Sequence, residues 1–253
     1  MPVADRASSF LNFRFRAAPL AGKVDPQEPF VSPVVTEPEA VFRRTQRWTR
    51  LISKPCAYFW GIEVAGRDRV PDGPFLLVAN HLSTIDPFFL VWAMPRVAAY
   101  LSKVELLRLP WLGKEMIRCG AFPVSRGDHD GEAYRVALTV LEAGHPVGLY
   151  PEGSRSPNGL YGMRRLRSGA ARLALATGVP IVPIALVGTD QAWPSGKTFP
   201  RRGHLTAEIG EPIASSSYMP PTQWPAERRI AAINEHIDGA LRRLLPPDRQ
   251  TRL

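Results

Sequence analysis

The stretch Phe75-Leu76-Leu77-Val78-Ala79, then Asn80-His81-Leu82-Ser83-Thr84-Ile85-Asp86, then Pro87-Phe88-Phe89-Leu90-Val91-Trp92-Ala93-Met94, constrains the fold of this chain more than any other. Five apolar residues bounded by polar ones read as a buried strand, and a Pro heading a longer apolar segment reads as the first turn of a helix. Strand, short turn and helix in that order form the building unit of an α/β domain. The turn carries His81 and Asp86. At about 100° per residue, positions five apart on a regular helix lie roughly 140° from each other, so the two side chains meet only if the backbone turns between them.

The same alternation continues downstream. Strands are expected at 75–79, 98–102, 121–124, 146–150, 181–187 and 204–209, and helices at 87–94, 111–118, 131–143, 168–177 and 226–244. Ile230, Ile233, Ile237, Leu241 and Leu244 share one face of the last helix and read as a core stripe. With 253 residues and no internal repeat, the chain has room for one large α/β domain, not two. The expected fold is a single α/β domain with a mixed, mostly parallel sheet covered by helices, preceded by an N-terminal amphipathic helical segment. The corresponding spans are a flexible arm at 1–35, an amphipathic membrane-attachment helix at 36–60 and the domain at 61–253.

An imidazole near its pKa can take a proton from an alcohol, and a carboxylate on its other nitrogen fixes the tautomer and supports the imidazolium. His81 and Asp86 are thus two members of a triad. Asp86 has a second reading as a helix N-cap just before Pro87. No Gly-x-Ser-x-Gly turn occurs in the chain to supply a nucleophile, so the nucleophile is expected to belong to the substrate.

Three further segments accompany this one in a fixed order: Gly120-Ala121-Phe122-Pro123-Val124-Ser125-Arg126, Tyr150-Pro151-Glu152-Gly153-Ser154-Arg155-Ser156, and Val179-Pro180-Ile181-Val182-Pro183-Ile184-Ala185-Leu186. With Asn80-His81 and Asp86, they make the sequence resemble the glycerolipid acyltransferases of the lysophosphatidic acid acyltransferase type over roughly residues 60 to 212. Two departures are mild: Pro123 stands where Phe is commoner, and Tyr150 stands for Phe at the head of the third block.

The resemblance implies transfer of a fatty acyl group from acyl-CoA or acyl carrier protein to the free hydroxyl of 1-acylglycerol 3-phosphate, giving phosphatidic acid. His81 then acts as general base and Asp86 orients it. It also implies that Arg126, Glu152, Gly153, Ser154 and Arg155 hold the phosphate-bearing part of the acceptor. A guanidinium offers paired donors that match phosphate oxygens, which suits Arg126 and Arg155 to this task. Glu152 reads equally as an acceptor for a glycerol hydroxyl and as a structural partner of an arginine. Gly153 offers close backbone approach or a positive φ, with main-chain N–H groups facing the phosphate. Ser154 and Ser156 read as hydrogen-bond donors or as turn formers. Lys103, Arg164, Arg165 and Arg167 read first as a solvated surface and second as an extension of the cleft. Phe88, Phe89 and Trp92 fit an acyl groove or simple core packing. Backbone amides near the His81 turn are expected to stabilise the oxyanion, and the two prolines of the fourth block to sit at a strand start and edge. No bound cofactor or metal is expected, only the acyl donor as substrate. Other acceptors within the reading are glycerol 3-phosphate and other lysophospholipids; readings from other classes are a thioester or ester hydrolase and a catalytically silent membrane-binding protein.

Charge points the same way. Net charge is +9, with 32 Lys and Arg against 23 Asp and Glu, which favours an anionic partner. Without a zinc-ligand pattern or an RNA-reading signature, nucleic acid fits less well than an anionic membrane surface. Two cysteines, Cys56 and Cys119, make no disulfide framework, and Cys119 reads as an inert thiol rather than an acyl carrier. No run reaches the roughly 18 apolar residues of a membrane span, so a cytoplasmic protein, peripheral on the inner face of the cell membrane, is expected. Within 1–35, Phe10, Phe13 and Phe15 alternate with Arg14 and Arg16. Thr36-x-x-Glu39 has the form of a capping box. Beyond it Val41, Trp48, Leu51, Ile52, Cys56 and Phe59 follow one side of a helix, with Arg43, Arg44, Arg47, Arg50 and Lys54 on another and Pro55 as a kink or break. That helix suits either a lipid surface or the domain's own flank.

Overall fold

The computed structural model describes residues 33–249 apart from 104–106, 111, 125–129, 157–160, 162–164, 195–196 and 198. Most of the arm, with its Phe10, Phe13 and Phe15, lies outside these residues. So do Arg126 and Arg164 and the side chains of Arg50, Ile52, Lys54, Cys56 and Lys103.

Seven strands form one sheet: β1 (Trp60–Ala65), β2 (Leu76–Ala79), β3 (Ala99–Lys103), β4 (Ala121–Val124), β5 (Val147–Leu149), β6 (Ile181–Val187) and β7 (Gly203–Ile209). Their spatial order is β1-β7-β6-β2-β5-β3-β4. Every pairing is parallel except β6 with β7. The expected mixed, mostly parallel sheet is therefore present. Helices are α1 (Pro33–Thr36), α2 (Pro38–Phe59), α3 (Asp86–Ala93), α4 (Leu112–Arg118), α5 (Asp130–Glu142), α6 (Ser168–Thr177), α7 (Thr189–Ala192), α8 (Ser215–Tyr218) and α9 (Ala226–Leu244).

Strand alternation sorts the core into two layers. From β2, Leu76 and Val78 pack with α5, α6 and α9, while Leu77 and Ala79 pack with α3 and α7. Both faces of the strand are thus apolar, as expected where helices cover a parallel sheet on both sides. Ile233, Ile237 and Leu241 of α9 are completely buried, so its apolar stripe is a core stripe.

Three local differences from the sequence reading have physical causes. First, β1 was not expected: Trp-Gly-Ile-Glu-Val-Ala alternates buried or half-buried with exposed positions, a period-2 signal at the sheet edge that the aromatic residues before it mask. Second, α2 runs unbroken through Pro55. Proline removes one intrahelical hydrogen bond, and the bonds on either side hold the helix together. Third, Pro183 lies inside a central strand. Its carbonyl accepts from the Gly210 N–H at 2.9 Å, so it faces β7 just beyond the Ile184↔Ile209 pair that ends the β6–β7 ladder, and its missing N–H forfeits only the return bond at that end.

The N-terminal helices are tied to the domain at one end. Val34 and Val41 join the core beside Phe122 and Ala99, at Gly120, whose φ is +96°. A β-carbon there would stand 2.9 Å from a Val34 methyl, so the second block's glycine lets α1 seat on the sheet. Thr45 is buried, and the Trp48 indole N–H donates to Glu115 at 3.3 Å. Glu39, expected in a capping box, pairs with Arg43 at 3.0 Å. Farther along α2, Leu51 and Tyr58 are exposed. No helix of the described residues is long and apolar enough to cross a membrane.

Candidate active site

Because β2, β5 and β6 are neighbours and parallel, their carboxyl ends emerge at one edge of the sheet, the usual ligand edge of an α/β fold. The first and third blocks leave from β2 and β5 there. Asn80, fully buried at the end of β2, anchors the turn: its amide N–H donates to the Leu186 carbonyl at 2.8 Å and its amide oxygen accepts from the Leu186 N–H at 2.7 Å. The side chain thus imitates one more rung of a β ladder, and His81 leaves the sheet from a fixed point.

His81 and Asp86 meet. Nδ1 of His81 lies 2.8 Å from Oδ2 of Asp86, with the Asp86 side chain fully buried and that of His81 18% exposed. The same Oδ2 accepts the backbone N–H groups of Leu82 at 2.6 Å and Ser83 at 2.7 Å. Asp86 is the first residue of α3, and its carboxylate reaches back into the turn rather than forward to cap the helix. Its other oxygen, Oδ1, is buried without a hydrogen-bonding partner among the described residues. With two backbone N–H groups donating to it, Oδ2 acts as an acceptor, so the arrangement suits the tautomer in which Nδ1–H donates to Oδ2 and Nε2 is left free to accept a proton.

The third block wraps this turn from outside. Glu152 is buried; one oxygen faces the His81 N–H at 3.4 Å and the other accepts from the Ser156 hydroxyl. The Ser156 N–H donates to the His81 carbonyl at 2.7 Å. These two residues thus brace the histidine backbone. Gly153 has φ +68°, and a β-carbon there would collide with the Arg167 side chain. Its N–H closes a turn onto the Tyr150 carbonyl at 2.9 Å, so the positive φ is present while the N–H is spent inside the loop. Arg155 donates to the Thr84 hydroxyl at 2.7 Å, across the turn between His81 and Asp86. Ser154 is half-buried in the same loop, and Arg126 lies outside the described residues.

The amides expected to stabilise an oxyanion are otherwise engaged. Those of Leu82 and Ser83 go to Asp86 and that of His81 faces Glu152, so the turn spends its donors on building the base. Phe89 and Trp92 belong to the core, their rings stacked 6.1 Å apart, while Phe88 is exposed. A small cavity between α3 and the sheet, lined by Leu77, Leu90, Val91, Met94, Tyr100 and Tyr150, opens beside the site instead.

Several contributors carry a signal that residue type alone understates. Tyr150 stacks on His81 with ring centroids 4.1 Å apart and 16° between planes. Its hydroxyl is buried without a partner among the described residues, and burial, then the Asp86 carboxylate, then Tyr100 hold its pKa well above the usual tyrosine value. Arg167 lies over Gly153, beside the cleft. Cys119 sits just before β4, at the opposite edge of the sheet from His81. Burial, chiefly, raises its pKa, and Glu115 adds to this against the Thr45 hydrogen bond and Arg44, which fits an inert thiol.

A family model described as Acyltransferase matches residues 61–187. The 1-acyl-sn-glycerol-3-phosphate acyltransferase of Bacillus subtilis is 27% identical over 186 residues, 73% of this chain and 88% of that one. The chloroplastic LPAT1 of Arabidopsis thaliana, also named 1-acyl-sn-glycerol-3-phosphate acyltransferase, is 31% identical over 163 residues, 62% of this chain and 45% of its own length. The human 1-acyl-sn-glycerol-3-phosphate acyltransferase beta is 31% identical over 170 residues, 63% of this chain and 59% of its own. The chain therefore spans most of the bacterial relative and about half of the plant and human ones. Among solved structures, the 1-acyl-sn-glycerophosphate acyltransferase PlsC from Thermotoga maritima superposes with a TM-score of 0.62 at 23% identity, over 83% of this chain and 79% of that one, which shows a shared fold.

Proposed function

This chain belongs to the Acyltransferase family, and we propose that it moves a fatty acyl group from acyl-CoA or acyl carrier protein to the free hydroxyl of 1-acylglycerol 3-phosphate, giving phosphatidic acid. The observation that carries this reading is the 2.8 Å contact between His81 and Asp86 at the ligand edge of the sheet. Nε2 of His81 takes the proton of the acceptor hydroxyl as its oxygen attacks the thioester carbonyl. The tetrahedral adduct then collapses, the carbon–sulfur bond breaks, and the protonated imidazole returns its proton to the leaving thiolate. Asp86 holds the imidazole in the required tautomer and offsets its charge at the transition state.

Arg155, held across the His81–Asp86 turn by the Thr84 hydroxyl, binds the phosphate of the acceptor in this reading and so directs the neighbouring hydroxyl toward Nε2. Ser154 and the loop turn at Gly153 serve the same anion pocket, Arg167 adds a further guanidinium at its rim, and the resemblance assigns Arg126 to the same task. Glu152 contributes by bracing His81, which accounts for a carboxylate beside a phosphate pocket. The acceptor is a lipid and the chain is basic, so the protein works at the anionic inner face of the cell membrane.

Release of thiol from palmitoyl-CoA by the purified protein in detergent tests the reading, with 1-acylglycerol 3-phosphate, glycerol 3-phosphate, lysophosphatidylcholine or no acceptor, beside His81→Ala. Release that requires 1-acylglycerol 3-phosphate and vanishes in the variant is expected. Release with no acceptor would make the protein a hydrolase, and preference for glycerol 3-phosphate would move the acceptor assignment.

A further inference from the structure

The loop that carries Arg155 is long, leaving β5 at Tyr150 and entering α6 after Arg167. Near its two ends it is tied to the site and to itself. The Ser156 N–H donates to the His81 carbonyl at 2.7 Å, and the Arg167 N–H to the Pro151 carbonyl at 2.7 Å. Between them stands Tyr161, completely buried. Its hydroxyl donates to Oδ1 of Asp238 on α9 at 3.0 Å, while Arg242 donates to Oδ2 of the same carboxylate at 2.7 Å. The Tyr161 backbone N–H donates elsewhere, to the carbonyl of Arg249 at 2.9 Å.

Arg249 ends a short 3-10 turn, Pro247–Arg249, beyond α9. Leu245 joins the core just before it, and the Arg249 N–H closes the turn onto the Pro246 carbonyl at 2.9 Å, so the turn is seated on the domain. The Arg249 guanidinium donates to Oδ2 of Asp190 in α7 at 3.0 Å, with the two side chains 16% and 18% exposed. Oδ1 of Asp190 is buried without a hydrogen-bonding partner among the described residues. Removing the arginine therefore leaves a largely buried carboxylate uncompensated, which is costly. α7 leads on to the base: the Trp193 N–H donates to the Thr189 carbonyl at 2.9 Å, and the Trp193 carbonyl accepts from the Ser83 hydroxyl at 2.7 Å. One residue thus belongs to both halves of the site. Its backbone holds the Arg155 loop, and its side chain holds the helix that meets the His81–Asp86 turn.

We propose that Arg249 is a positioning residue for the acceptor: by holding Tyr161 through its carbonyl and Asp190 through its guanidinium, it fixes the reach from Arg155 to His81. The inference rests on the reading in which Arg155 binds the acceptor's phosphate. Phosphate clamp and base serve one molecule only at a set separation, because a misplacement of about 1 Å can cost on the order of a hundredfold in rate. Arg249 acts through the loop and touches no reacting atom. Without its ties the loop is aligned for only a fraction of the time, and the apparent affinity for the phosphate-bearing acceptor falls by that fraction. The thioester donor does not depend on Arg155, so its binding is spared.

Two measurements on the full chain test this, each made on the unaltered protein, Arg249→Ala, Arg249→Lys, and Arg249→Ala combined with Asp190→Ala. One is transfer in detergent with 1-acylglycerol 3-phosphate and palmitoyl-CoA varied in turn; the other is limited trypsin cleavage within residues 155–167, mapped by mass spectrometry. Arg249→Ala is expected to raise KM for the acceptor about tenfold, with KM for palmitoyl-CoA unchanged, and to speed cleavage of the loop by about the same factor. Arg249→Lys, which keeps a cation on Asp190, should recover most of both. The double variant removes the bare carboxylate without restoring the tie, so it should melt higher than Arg249→Ala yet keep the raised KM. A fall in kcat alone, with both KM values held, is what loss of folded protein produces and would overturn the proposal. Unchanged cleavage in Arg249→Ala would overturn it too, as would a double variant with the parent's KM. No transfer by the unaltered protein to any phosphate-bearing acceptor would sink the acceptor reading instead, while the cleavage series still decides whether Arg249 holds the loop.

Discussion

The ring of Tyr150 lies nearly parallel to that of His81, 4.1 Å away between centroids, so the plane of the His81 imidazole is fixed on one side by packing and on one edge by Asp86. Stacked aromatic pairs contribute roughly 0.5–1.5 kcal/mol beyond their burial. Tyr150→Leu is therefore expected to lower kcat about three- to tenfold, and Tyr150→Phe to leave it near its original value while removing an unpartnered hydroxyl. Steady-state kinetics of both variants decide the matter: a fall in Tyr150→Phe as deep as in Tyr150→Leu would place the function in the hydroxyl instead of the ring.

His81 and Asp86 should separate in their effects on stability. His81→Ala removes the base and is expected to cost at least about a hundredfold in kcat, with little change in Tm. Asp86→Asn sets an amide N–H against donors already aimed at Oδ2, or leaves them unpaired. It should lose activity to a similar degree and also about 1–3 kcal/mol of stability. Thermal melts beside kinetics provide the check, and an Asp86→Asn protein as stable as the parent would show that the Leu82 and Ser83 amides find other partners.

Asn80→Ala strands the Leu186 N–H and carbonyl inside the core. Each buried group left unsatisfied costs roughly 1–3 kcal/mol, so a loss of about 2–6 kcal/mol in denaturant unfolding is expected. Activity at low temperature should fall too, because the turn loses its anchor. A variant that melts early but catalyses normally when folded would limit Asn80 to a structural part.

Cys119 provides a pH test. Its pKa is raised above the ordinary thiol value, so the protonated, unreactive form persists to higher pH. In a Cys56→Ser background, alkylation by iodoacetamide at pH 8 should be slower than that of a free thiol and should accelerate only as pH rises past 9. Cys119→Ser should leave acyl transfer unchanged. Fast alkylation near neutrality together with loss of transfer would revive an acyl-cysteine route.

Glu152→Gln can keep its amide oxygen as acceptor for the His81 N–H while its amide N–H donates to the Ser156 hydroxyl oxygen, whereas Glu152→Ala keeps neither contact. If Glu152 acts by bracing the turn, the glutamine variant should retain most of kcat and the alanine variant should lose about tenfold or more, with KM for the acceptor little altered in either. A rise in KM confined to the acceptor in both variants would show direct contact with substrate.

The periodic elements were readable from sequence because apolar residues announce them directly: α6, α9, β4 and β6 lie where the residue pattern puts them. β1 was hidden because its alternation starts at Trp60, within a run of aromatics that also fits the end of an amphipathic helix. The pairing of His81 with Asp86 was legible from spacing and flanks, since only a turn brings those two side chains together. What spacing could not convey is where each polar group spends its hydrogen bonds. Leu82 and Ser83 carry nothing in their side-chain chemistry to say that their amides serve Asp86, and Glu152, an acid in a basic loop, reads as a ligand until its oxygens are traced to Ser156 and the His81 amide. The Asn80 contact needed the tertiary fold outright, for its partner is 106 residues away. A buried asparagine at a strand end is nonetheless a sign that some backbone group must be waiting for it.

The Asn80 bridge also bears on how this protein fails. By stitching the His81–Asp86 turn to the central strand, it is expected to place that turn inside the cooperative unit that opens last, not among the loops that fray first. Amide hydrogens of Leu82, Ser83 and Leu186 should then exchange with solvent together and slowly. A molecule of this design does not pass through a folded but idle stage on warming: its base stays armed for the lifetime of the sheet, and the two are lost in one event.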